Sequence, residues 1–123
     1  MAAGTGAAFL LWLACEVVAA QGPTSATRNE ITHLLAHLEH SGCEFERNGS
    51  WHGGKKAAAH LQKKYAYLLN KELVPTADAF IDRAASKSSV SGKPYRVRCA
   101  DQRIVESRSW FTSELASWRK SHR

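Results

Sequence analysis

The sequence predicts an α+β domain, mainly α, with four helices packed against a small antiparallel sheet and tied by one disulfide. Three observations carry that expectation. Apolar residues recur at helical spacing in four separate segments. Two short stretches, "CEFERNGSWH" and "YRVRC", alternate with a period of two. Cys43 opens the first of these stretches and Cys99 closes the second. A chain of 123 residues is expected to form one domain.

The start, "MAAGTGAAFLLWLACEVVAAQG", has an apolar stretch over residues 7–15, interrupted by Glu16 and resumed over residues 17–20. A membrane-spanning helix needs about 20 apolar residues, so this stretch is too short and too broken to be one. Val18-Ala19-Ala20 before Gln21 has the small-residue pattern of a signal-peptidase site. Residues 1–20 are therefore expected to be a signal peptide. No Lys or Arg precedes Arg28, so the usual basic n-region is lacking. Cys15 in "WLAC" as a lipidated N-terminus, or an uncleaved anchor, are the competing readings. Residues 21–26 read as a polar tether and residues 27–123 as the single domain.

The first helix is expected to open on the capping box Thr27–Glu30 and to bury Ile31, Leu34, Leu35 and Leu38. Ser41-Gly42 ends it. In the following stretch Cys43, Phe45 and Arg47 share one face, and Asn48-Gly49 is a strong hairpin signal, because a type I′ turn needs positive φ at both positions. Gly53-Gly54 breaks the chain again. A second helix over residues 55–71 carries the stripe Ala58, Leu61, Tyr65, Leu68 and Leu69. Pro75 and Thr76 open a third, with Thr76 as N-cap and Phe80, Ile81, Ala84 and Ala85 inward. The strand over residues 95–99 and a polar turn, "ADQR", follow. The last helix spans residues 107–120 and is expected to bury Trp110, Phe111, Leu115 and Trp118.

Signal cleavage would remove Cys15 and leave Cys43 and Cys99, an even count suited to an oxidising compartment. Their pairing closes a long loop, worth about 4 kcal/mol by chain entropy. There is no CxxC motif to suggest redox chemistry, and no third thiol survives cleavage to suggest a metal. The chain's formal net charge is +6, and loss of Glu16 makes the mature form more basic by one. Nucleic acid is a poor partner for an exported protein. Anionic lipid headgroups, lipopolysaccharide phosphates, peptidoglycan carboxylates or an acidic protein suit the charge better. Solubility alone is the plain alternative.

The ordered series "CEFERNG", "HLQKK", "TADAFI" and "ASKSSVSGKPYRVRC" resembles the YfeK-like family, a domain-of-unknown-function group of small bacterial envelope proteins. The resemblance runs from about Glu30 to Trp118. It implies a bacterial source and a periplasmic or secreted location, and it brings no catalytic assignment. Matching positions include Cys43, Phe45, Arg47, Asn48, Gly49, His60, Lys64, Lys87, Ser88, Ser89, Ser91, Gly92, Tyr95 and Cys99. The charge-free start departs from that pattern, as do His37 and His40.

The candidate site is built on "SKSSVSGKPYRVRC". His60 and Lys64 are four apart and neighbour each other on one helix flank. With Arg47, Lys87, Ser88, Ser89 and Ser91 they are expected to converge on an anion, hydroxyls and loop N–H groups donating while His, Lys and Arg supply charge. In the plainer reading Ser88 and Ser89 shape a turn, His60 bonds a core carbonyl and Lys64 is solvated, which leaves a structural envelope protein without a ligand. Acyl transfer by Ser and His is the enzymatic alternative, but no carboxylate stands at a recognisable spacing and the G-x-S-x-G elbow is missing. Gly92-Lys93 is no Walker A motif, since Pro94 replaces its Ser/Thr. His33, His37 and His40, at i, i+4 and i+7, share a flank of the first helix. Such spacing could bind Zn²⁺ or Cu²⁺, but with no carboxylate placed to orient them they are read as a solvated face. Neither a metal nor a cofactor is expected, and the basic end, Arg119 to Arg123, is read as a contact for anionic surfaces.

Overall fold

The computed structural model describes residues 22–122, so the expected signal segment lies outside the described residues. Helix α1 (Ser25–His40) leads into a hairpin of β1 (Glu44–Arg47) and β2 (Ser50–Gly53), followed by α2 (Gly54–Asn70). The short α3 (Ala77–Phe80) continues as a π-helical turn over Ile81–Ala85. Strands β3 (Arg96–Arg98) and β4 (Ile104–Glu106) precede α4 (Ser107–Ser121). This is the expected α+β class, mainly helical. No helix among the described residues is long and apolar enough to cross a membrane.

The sheet is antiparallel throughout, in the order β2-β1-β3-β4. Phe45 pairs with Val97, and both are fully buried. Their neighbours Glu44 and Glu46 pair with Arg98 and Arg96 on the solvent face, where each makes an ion pair. The Cys43–Cys99 disulfide sits one position beyond the Glu44–Arg98 pair and links the ends of β1 and β3. Asn48 and Gly49 both have positive φ, 51° and 83°, as the predicted hairpin turn requires.

Helix α1 packs along α2 and also touches α3 and α4. Gly54 permits a close α1–α2 approach, because a Cβ there would run into the Leu38 carbonyl oxygen. The core joins Ile31, Leu34 and Leu38 of α1 to Leu61, Phe80, Phe111 and Leu115, with Phe45, Tyr95 and Val97 beneath.

Four local expectations are corrected. The cap of α1 is Thr24, whose Oγ1 accepts from the Thr27 N–H, so the helix starts inside the expected tether. Glu30 does not close a capping box; it grips Arg119 of α4 through both carboxylate oxygens. The turn after Cys99 leads into an unforeseen strand, β4, with Gln102 at a φ of 61°. Trp110 and Trp118 are half-buried rather than core residues. The third helix opens as expected, with Thr76 Oγ1 accepting from the Ala79 N–H.

Candidate functional site

Strand alternation places Arg47 on the same face as Phe45, beneath α2, and the hairpin turn stops the strand there. Its Nη1 donates to His60 Nδ1 at 2.6 Å. Arginine can only donate, so Nδ1 is the accepting nitrogen and the neutral ring carries its hydrogen on Nε2. Nε2 faces the Tyr95 hydroxyl at 3.4 Å. One turn along α2, Lys64 Nζ donates to the Tyr95 Oη at 3.1 Å and to the Lys87 carbonyl at 3.1 Å. The ammonium also lies 4.9 Å from the centre of the Tyr95 ring. Tyr95 is buried on the inward face of the sheet, against Phe45.

Among the described residues, neither Arg47 nor Lys64 forms an ion pair with a carboxylate. Burial, then the charges of Arg47 and Lys64, holds the His60 pKa down at about 4. Burial, then the Arg47 charge, brings Lys64 down to about 8. Burial raises the Tyr95 phenol. At neutral pH the cluster therefore holds a neutral imidazole between two cations, and its positive charge is uncompensated.

The loop serines divide by role. Ser86 donates to the Ile81 carbonyl exposed by the π-turn. Ser88 is buried, and its Oγ accepts from the N–H groups of Val90 and Ser91. Ser91 donates to Asn48 Oδ1 at 2.6 Å, fastening the loop to the hairpin turn. Lys87 brings its carbonyl to Lys64. Ser89 is the loop serine that reaches the cavity beside α2, a space of about 310 Å³ lined also by His60, Lys63, Lys64, Tyr67, Leu68 and Arg83.

Thus Arg47, His60 and Lys64 come together as the sequence predicts, with Ser89 on the same cavity as His60 and Lys64. Ser88 and Ser91 are engaged within the loop and at the turn. Sequence reasoning missed Tyr95 as the hub of the network and Arg83 as a cavity wall. The alternation of Tyr95 with Val97 was the available signal for the first. Arg83 comes from the π-turn and gave none.

The model of a family of unknown function, DUF5329, matches residues 25–119. The chain belongs to this family. Over 51 residues it is 45% identical to the "Uncharacterized protein YfeK" of Salmonella typhimurium (strain LT2), a match covering 42% of this chain and 41% of that protein. The chain thus spans less than half the length of that relative in the match. No solved structure matches. The matched residues 25–119 contain every member of the Tyr95 cluster and both cysteines of the disulfide.

Proposed function

We propose that the protein is an exported, non-enzymatic binding module for an anionic ligand or acidic partner of the cell envelope. The observation that carries this reading is the pair Arg47 and Lys64, partly buried around Tyr95 without a carboxylate. Desolvated cations without a counter-charge are favoured by an arriving anion, which restores the pKa values that burial and mutual repulsion depress. Tyr67 and Leu68 beside Lys63, Lys64 and Arg83 suit an anion with an apolar portion. The disulfide fits an oxidising compartment outside the cytoplasm.

Hydrolase chemistry at His60 is disfavoured by the same hydrogen bonds. A triad histidine donates from Nδ1 to a carboxylate and accepts at Nε2. Here Nδ1 accepts from Arg47, so Nε2 carries the hydrogen and cannot take a proton from a serine.

The test is an NMR titration of the His60 imidazole with and without phosphate, repeated with a short-chain alkyl phosphate. Either anion should raise the His60 pKa, and binding should weaken with salt. Lys64→Ala removes a charge-assisted bond of about 1.5–3 kcal/mol, so affinity should fall roughly ten- to hundredfold. A His60 resonance that stays unmoved in folded protein by either anion would sink the reading.

A further inference from the structure

His33 and His37 stand one turn apart on α1, and Glu114 reaches both from α4. His33 Nε2 lies 2.7 Å from Glu114 Oε1, and His37 Nε2 lies 3.5 Å from Oε2. One ligand atom from each residue lies within 4.8 Å of the other two, and all three side chains are partly buried. The carboxylate judged missing from the sequence is thus supplied by tertiary packing. His40 is exposed and outside the cluster.

We propose that His33, His37 and Glu114 form a binding site for a divalent transition metal, with Zn²⁺ the best fit. Two histidines at i and i+4 on one helix, joined by a carboxylate from another, match the ligand set of zinc sites that keep a fourth position open. Imidazole nitrogens suit Zn²⁺, Ni²⁺ or Cu²⁺, whereas Mg²⁺ and Ca²⁺ prefer oxygen shells. A structural His–Glu bridge between helices needs one histidine; here two present Nε2 to the same carboxylate.

Metal-bound histidines need their rings held in place. Trp118 stacks on His33 with centroids 4.0 Å apart, and Trp110 lies 4.7 Å from His37. Both tryptophans are half-buried, each with its ring against a histidine. Ligand bonds of about 2.0–2.2 Å in a tetrahedron put donor atoms roughly 3.3 Å apart. The His33–Glu114 pair would have to open and the looser contacts close, by movements within side-chain reach. A cavity of about 480 Å³ borders His37 and Glu114, with Arg103, Ser109, Ser113 and Ser117 on its walls. It leaves room for water or an anion in the fourth position, and Arg103 favours the anion.

The experiment uses tag-free, disulfide-bonded protein with ZnCl₂ in calorimetry and thermal melts, and CoCl₂ in visible absorption. One Zn²⁺ should bind per chain and raise Tm, because only the folded state assembles the ligands. Co²⁺ should give d–d bands that Zn²⁺ bleaches. His37→Ala and Glu114→Gln should each weaken Zn²⁺ at least as much as the roughly 10–100-fold that outer-shell changes cost. His40→Ala should bind as wild type does. Melts without metal establish that each variant is folded, and Glu114→Gln keeps the shape of the native side chain and one of its two accepting oxygens. The site is overturned if wild type shows neither heat nor Co²⁺ bands at sub-millimolar metal. Binding that survives both His37→Ala and Glu114→Gln, or that disappears in His40→Ala, overturns it equally.

Discussion

Around Tyr95, Arg47 and Lys64 stand without carboxylates, whereas on the solvent face of the sheet and at the α1–α4 seam basic groups are matched. Arg96 meets Glu46 at 2.7 Å and Arg98 meets Glu44 at 3.0 Å. Arg119 binds Glu30 and also Asp78. Titration behaviour follows the same division. Hydrogen bonds to carboxylates raise Arg96 and Arg119 and lower Glu46, each change favouring the charged form. At the Tyr95 cluster burial and neighbouring cations lower His60 and Lys64, disfavouring theirs. Matched charges hold the fold together. Unmatched ones work against stability, and the proposed anion site rests on that contrast.

The strongest way to break this comparison is to loosen the strands that carry the unmatched cluster. Arg47 ends β1 and Tyr95 adjoins β3, and the Cys43–Cys99 disulfide ties the other ends of these strands. Cys43→Ala/Cys99→Ala should lower stability by about 4 kcal/mol in denaturant titrations, with the midpoint falling accordingly. Reduction of the wild type should have the same effect. A loss below about 1 kcal/mol would mean that the long loop is already restrained in the unfolded chain.

Acid should expose the second difference. His60 titrates near 4 when folded and near 6.5 in the unfolded chain. Between those values the unfolded state binds more protons, so stability falls as pH drops from 6.5 to 4. Discounted for the solvent that reaches the ring, the loss should be roughly 1–2 kcal/mol. His60→Gln keeps an acceptor for Arg47 and should flatten that segment of the stability–pH curve. A slope unchanged in the variant would assign the acid sensitivity elsewhere.

Much of the Tyr95 cluster was legible because its signals are local. Asn48-Gly49 dictates the turn, strand alternation sets the side that Arg47 occupies, and a spacing of four aligns His60 with Lys64. The α1–α4 seam was not legible, since His33 and Glu114 meet only after two helices dock. The α1 cap failed for a related reason. Thr24 and Thr27 both offer a hydroxyl ahead of the apolar stripe, and the Glu30 that favours Thr27 is drawn away by Arg119. Strand β4 has three residues and is held by its pairing with β3, so its own alternation is too short to read.

The finest test compares one charge from each region. Glu30→Gln leaves Asp78 as the one carboxylate on Arg119 among the described residues and should destabilise the protein by about 1 kcal/mol, the scale of a well-formed, partly exposed pair. Lys64→Met removes a charge that burial and Arg47 already disfavour, and keeps an unbranched apolar side chain of similar length beside Tyr95. The bond to the Lys87 carbonyl is exposed, so water can replace it. Without ligand, Lys64→Met should leave stability unchanged or raise it by about 0.5 kcal/mol. The lysine's own pH dependence points the same way. Its folded pKa, about 8, lies below the unfolded 10.5, so between them the unfolded state binds more protons and wild-type stability should rise with pH. Lys64→Met should lack that rise. If Lys64→Met instead destabilises as much as Glu30→Gln, Lys64 is a structural strut and the distinction between matched and unmatched regions fails.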